Sequence, residues 1–138
     1  MPNYWILKTE PGSYSFDRLA SEHRAVWDGV SNALALKHIR SMAKGDQAFI
    51  YHTGDEKALV GLARVASDPY PDPKADDPKL VVIDLEAGAR LARPVTLASI
   101  KADSAFADLG LVRMSRLSVI PVPPDLWKRL LAMGGASG

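Results

Sequence analysis

Trp27, Asp28 and Gly29 stand side by side, and Val30, Ser31 and Asn32 lead straight into the run Ala33 to Arg40. Gly29 permits a backbone turn that a side chain would forbid. Asn32 is of the type that caps a helix, its side chain accepting from a free N–H of the first turn. Backbone donors and the positive end of the helix dipole then point at whatever the turn encloses. With the flat face of Trp27 and the carboxylate of Asp28 beside them, these groups make a pocket for a flat, polar ligand, phosphorylated or not. A plainer reading of the same residues stays open, with Trp27 in the core, Asp28 in a turn and Asn32 a cap only.

Other chemistry has less support. His23, His38 and His52 are far apart and show no His-x-His or His-Glu-x-x-His spacing, so no metal site is expected. Ser13, Ser15 and Ser118 lack a Gly-x-Ser-x-Gly context, and the absence of cysteine removes thiolate nucleophiles and disulfides. Lys8, Glu10, Asp28 and His52 are the one set able to do acid–base work on RNA if the fold brought them together.

The elements that must position these residues are readable from pattern. Asn3–Thr9 is an aromatic, apolar strand stopped by Pro11-Gly12. Ser15 caps a short helix from Phe16 to about Ser21, with Tyr14 and Leu19 as its hydrophobic staple. A second helix runs from Ala33 to Met42, burying Leu36 and Ile39, and Gly45 ends it. Asp46–His52 and Ala58–Ala66 form a hairpin, in which Gly61 marks a bulge or a close approach by another backbone or a ligand. Pro69, Pro71, Pro73 and Pro78 leave no regular element in an acidic loop. Leu80–Ala89 alternates as a strand with one buried face. Thr96 caps another short helix, with Val95 and Ile100 as staple. Arg116–Val122 is the last strand, and a helix with Leu126, Trp127, Leu130 and Leu131 on its apolar stripe follows Pro123-Pro124. Five strands joined mostly by turns and interrupted by short helices predict an α+β fold with a curved or barrel-like sheet.

With 138 residues, 47% hydrophobic and 24% charged, the chain fits one domain spanning residues 1–138. It has neither a membrane-length apolar run nor a signal-peptide pattern, which points to a cytoplasmic protein, or a nuclear one in a eukaryote. The net charge of +1 is uninformative, but its distribution is uneven. Lys37, Arg40 and Lys44 stand without an acid between Ala33 and Lys44, whereas residues 68–86 carry Asp68, Asp72, Asp76, Asp77, Asp84 and Glu86. A polyanion is drawn to the first region and repelled by the second.

Tyr4-Trp5-Ile6-Leu7-Lys8-Thr9-Glu10-Pro11 resembles the opening motif of the EVE domain family, and Trp27-Asp28-Gly29-Val30-Ser31-Asn32 resembles its Trp-Asp-Gly-Val-Arg-Asn. Lys44-Gly45-Asp46 with Tyr51-His52-Thr53, Tyr70-Pro71-Asp72-Pro73 and Ser115-Arg116-Leu117-Ser118-Val119 follow in the family's order. The resemblance covers nearly the whole chain. It implies a PUA-like barrel of about five to six strands with flanking short helices, related to the YTH readers of methylated adenine. It also implies a non-enzymatic reader whose pocket accepts a modified base in DNA or RNA, with 5-methylcytosine-type modifications leading. No cofactor is implied, and a monomer is expected, with any effector a separate protein. The pocket set is Lys8, Thr9, Glu10, Trp27, Asp28, Gly29, Val30, Ser31, Asn32, His52, Arg116, Leu117 and Ser118, with Lys37, His38 and Arg40 on phosphates. Arg113 and Arg116 are the alternative phosphate track. Arg116 has two open roles, lining the pocket or pairing with Asp28 or Glu10. Ser31 replaces the family's arginine and removes a positive charge; Thr9 replaces its serine and keeps the hydroxyl. An RNA-processing enzyme like the related ASCH group, and a small-metabolite-binding module, are the alternatives.

Overall fold

A computed structural model describes residues 3–136. The order of elements is β1 (Tyr4–Thr9), α1 (Phe16–Glu22), β2 (Arg24–Trp27), α2 (Ala33–Arg40), β3 (Gln47–His52), β4 (Ala58–Val65), β5 (Tyr70–Pro71), β6 (Val81–Thr96), α3 (Leu97–Lys101), α4 (Gly110–Arg113), β7 (Val119–Val122) and α5 (Pro124–Met133). A single 3-10 turn, Ser104–Phe106, lies between α3 and α4. Six strands hydrogen-bond in the order β2-β6-β4-β3-β1-β7, and β5 joins as a short branch on β6. The β1–β3 pairing is parallel and the others are antiparallel, so the sheet is mixed.

Position in the sheet explains composition. β1 and β3 lie inside it and bury successive residues, Trp5-Ile6-Leu7 and Ala48-Phe49-Ile50-Tyr51, so both read as continuous apolar runs. Trp127 of α5 closes one end of the core, its ring 4.7 Å from that of Tyr4 and 4.3 Å from that of Phe49. Asp46 is a buried carboxylate held by three donors: Trp5 Nε1 at 3.0 Å, the Ala43 N–H at 3.0 Å and the Asn3 N–H at 2.9 Å. It fastens the start of β1 to the turn that enters β3.

The α+β class and the short helices match the sequence reading, and the caps at Ser15, Asn32 and Thr96 are made by those side chains. The bulge expected at Gly61 is present, but what approaches the glycine is the Phe16 side chain and not another backbone or a ligand. The β4 register shifts on either side of it, and a Cβ there would lie 2.3 Å from the Phe16 ring.

Several expectations need correction. The described residues form seven strands, not five or six. Arg24–Trp27, for which the sequence predicts no element, is an edge strand of only four residues, too short to show a period. The proline loop contains β5, whose Tyr70 pairs with Val82. β6 runs on past Ala89 to Thr96 because its second half pairs with the start of β4, Ala58 opposite Thr96 and Leu59 opposite Val95. The last strand begins at Val119, which leaves Arg116–Ser118 in the preceding loop. Among the described residues no ladder joins β2 to β7, so the hydrogen-bonded sheet is not closed. No helix of the described chain is long and apolar enough to cross a membrane.

Candidate functional site

The unpaired seam of the sheet, along edge strand β2, holds a cleft of about 880 Å³. One wall is the edge strand β2 and its continuation, from Arg24 through Trp27 to Val30; the other brings Lys8 and Thr9 of β1 together with Ser118. Ser13 and Tyr14 from the loop before α1, with Arg18 and Glu22 on that helix, line the cleft too, and Lys74 reaches it from the proline loop.

β2 positions Trp27 by pairing it with Ile83 of β6, and the indole is 7% exposed. It is therefore a buried core residue whose remaining surface lines the cleft. Tyr14 meets it edge-on, with ring centroids 6.0 Å apart and an interplanar angle of 84°, a favoured aromatic arrangement. Thr9 Oγ1 donates to the Tyr14 carbonyl at 2.7 Å, and the Tyr14 hydroxyl donates to Glu22 at 2.5 Å. Arg18 lies 5.0 Å from the Tyr14 ring centroid and contacts Glu22 at 3.4 Å. Burial, and then the hydrogen bond to Glu22, push the Tyr14 phenol up to about 12, so it stays a neutral donor. The same bond draws the Glu22 carboxyl down.

Past Trp27 the chain turns through Gly29, whose φ is +80°, a conformation that favours glycine. Asp28 and Gly29 are exposed at the cleft and Val30 is half-buried. On the facing wall Lys8 donates from Nζ to the Ser115 carbonyl at 2.9 Å, and its own N–H donates to the Ser118 carbonyl at 3.0 Å. Burial lowers the Lys8 ammonium pKa. Four cations line the cleft (Lys8, Arg18, Arg24, Lys74) against two acids (Glu22, Asp28). Arg18 is paired with Glu22 and Arg24 with Asp84 and Glu86, so Lys8 and Lys74 are the lining cations without an acidic partner among the described residues, and these two favour an anionic ligand.

The rest of the anticipated set is dispersed. Ser31 and Asn32 are exposed at the start of α2, where Asn32 Oδ1 accepts from the Ala35 N–H at 3.0 Å. Asn32 lines a separate groove of about 370 Å³ with Arg113, Ser115 and Arg116. Leu117 is buried and borders that groove. Arg116 forms no ion pair among the described residues, with Asp28 and Glu10 included. Glu10 accepts from the Gly12 N–H at 2.9 Å and lies outside the cleft lining. His52 is also outside it. Its Nε2 accepts from the Phe16 N–H at 3.0 Å, which places the ring hydrogen on Nδ1, 2.7 Å from Glu56. The imidazole thus anchors the first turn of α1. Lys8 and Asp28 line the cleft without Glu10 and His52, so the acid–base quartet is not assembled there.

The α2 cations also lie outside the cleft. Lys37 is exposed, and Arg40 donates to the Lys79 carbonyl at 2.7 Å, tying α2 to the proline loop. His38 is half-buried beside Trp5, and burial followed by the charge of Lys37 lowers its pKa. Eight residues of the cleft lining lie outside the anticipated set: Ser13, Tyr14, Arg18, Glu22, Arg24, Ala25, Val26 and Lys74. In the sequence Tyr14 carries only the signature of a helix staple. Lys74 is masked by the acids around it, and Arg24 belongs to the strand that was not recognised.

A mixed sheet with an aromatic-walled cleft in its seam, carrying these motifs in this order, places the chain in a defined class. The EVE domain profile matches residues 3–133, and the chain belongs to the EVE domain family. Mouse thymocyte nuclear protein 1 is 27% identical over 167 aligned residues, covering 96% of this chain and 74% of the mouse protein. A Rhodopseudomonas palustris protein solved by NMR superposes with a TM-score of 0.91 at 41% identity, over 96% of this chain and 93% of its own. Human thymocyte nuclear protein 1 (THYN1), solved in complex with 5-methylcytosine containing DNA, gives a TM-score of 0.88 at 24% identity, over 99% of each chain. At that identity the likeness to the human protein is one of fold.

Proposed function

We propose that this chain is a reader: it binds a modified base of the 5-methylcytosine type, in a DNA or RNA strand, and does not turn it over. The observation that carries the reading is the seam cleft, where buried Trp27 forms an apolar wall next to the exposed Asp28-Gly29-Val30 backbone. Its volume lies in the range of small-ligand sites. A base slides along the indole face, an exocyclic amine donates to Asp28, and the strand's phosphates meet the cationic rim. The fold shared with a protein solved on 5-methylcytosine DNA supports the same reading. In this account the sheet is a PUA-like barrel whose unpaired seam is the ligand entrance.

The reader and enzyme readings separate in one incubation. Purified protein held for hours with single-stranded RNA and DNA, with and without divalent metal, is expected to leave them uncut while binding a modified strand. Cleavage that survives repurification and is abolished by Glu10→Gln or His52→Ala overturns the reading. A contaminating nuclease would ignore both substitutions.

A further inference from the structure

Two large hydrophobic side chains stand well out of the surface among the described residues, Val26 and Met114, each 46% exposed. Single exposed apolar residues are ordinary. Their placement here is not. Val26 lies on the lip of the cleft, on edge strand β2, and Met114 stands in the loop Arg113-Met114-Ser115-Arg116, which lines the separate 370 Å³ groove. That loop is fastened to the cleft, because Lys8 lines the cleft and its Nζ binds the Ser115 carbonyl at 2.9 Å. It is also held at both ends. The Met114 N–H donates to the Gly110 carbonyl at 2.8 Å, and the Leu117 N–H to the Met114 carbonyl at 3.0 Å, with Leu117 itself buried. Met114 therefore projects from a fixed base.

Its neighbours are cations available to an anion. Arg116 is exposed and has no acidic partner among the described residues. Arg113 is paired with Asp108 at 2.8 Å, but both side chains are largely solvated, so the pair has little net strength and yields readily to a phosphate. The same loop lines the 370 Å³ groove beside the start of α2.

The cleft wall is deeply set, so a base stacked inside a duplex cannot reach it without leaving the stack. Proteins that unstack bases commonly insert an apolar side chain, methionine among them, where the stack opens. Building on the base-binding reading, we propose that the Arg113–Arg116 loop enters a duplex beside the base held in the cleft. Met114 fills the opening in the stack, and Arg113 and Arg116 take the flanking phosphates. The chain then accepts its base from double-stranded nucleic acid as well as from a single strand.

The test compares one fluorescein-labelled DNA strand carrying a single 5-methylcytosine, alone and annealed to its complement, against wild type, Met114→Ala, Met114→Leu and Arg113→Ala/Arg116→Ala. Met114→Ala is expected to weaken duplex binding about tenfold, with single-strand binding unchanged and Met114→Leu close to wild type. The double arginine variant is expected to reduce the salt slope on duplex by about 0.9 per lost phosphate contact. Unchanged duplex binding by Met114→Ala overturns the inference, as does an equal loss on both substrates, or a wild-type protein that binds the single strand and ignores the duplex. Absence of any preference for the modified strand in either form overturns the base-binding reading, and this inference with it.

Discussion

Replacing Trp27 separates the two roles that one indole combines. The side chain is 7% exposed and packs edge-on against Tyr14. Truncation of such a residue to alanine costs about 3–5 kcal/mol, against a total stability of roughly 5–15 kcal/mol for a domain. A fall in Tm of about 10–20 °C follows at this chain length. Trp27→Ala is therefore expected to have a much smaller stability margin at 37 °C, where loss of binding would not separate unfolding from a lost contact. Trp27→Phe keeps an aromatic ring in the core and is expected to cost about 1–2 kcal/mol. A base stacked on the indole draws ~1–3 kcal/mol from it, of which the smaller ring retains part. Titration of a labelled 5-methylcytosine strand at 10 °C, with circular dichroism on the same samples, reads both effects. Trp27→Phe should weaken binding several-fold, and folded Trp27→Ala should lose the distinction between modified and unmodified strands. A folded Trp27→Ala that keeps the full distinction would remove Trp27 from the site and refute the account of the wall.

The geometry makes further predictions. Lys37→Ala/Arg40→Ala should change affinity less than about twofold at moderate salt, because neither side chain lines the cleft; a large loss would place the phosphate track on α2. His52→Ala should destabilise by about 1–3 kcal/mol, since the buried Phe16 N–H loses its acceptor, and leave base preference intact in binding titrations. Gly61→Ala should cost about 1–3 kcal/mol or more in denaturant melts, and Phe16→Leu in the same chain should recover part of it, because the new Cβ would sit 2.3 Å from the Phe16 ring. Asp84 accepts from the Tyr70 hydroxyl at 2.6 Å and from Arg24 at 2.9 Å, and these bonds hold its carboxyl below the usual value of 3.8. A depressed folded pKa contributes stability that is full above the unfolded value and is lost as pH falls through the folded one. Acid melts of Asp84→Asn below about pH 4 should thus be flatter than those of wild type.

How much of this was legible in the sequence depends on how far each cause lies along the chain. The caps at Ser15, Asn32 and Thr96 act within three residues, and all three were readable. β1, β3 and β4 were readable because burial on both faces leaves long apolar runs. β2 was not, because four residues carry no period and its strand character comes from β6, some 60 positions away. The same distance hid the cleft's membership. Arg24 and Lys74 join Trp27 only through sheet topology and the path of the proline loop, while Glu10, next to Thr9 in the chain, and His52, opposite Thr9 in the sheet, hold local backbone instead. Chemistry at Trp27-Asp28-Gly29 could be named from residue types. Its partners needed the fold.

The most direct measurement is the affinity of this protein for two single strands that differ only by the 5-methyl group of one cytosine. A fitted apolar wall distinguishes one methyl by about 1–3 kcal/mol. The account predicts that the methylated strand binds at least about tenfold more tightly, with both strands recovered intact. Equal affinities for the two strands, at a salt concentration where both bind measurably, would contradict it.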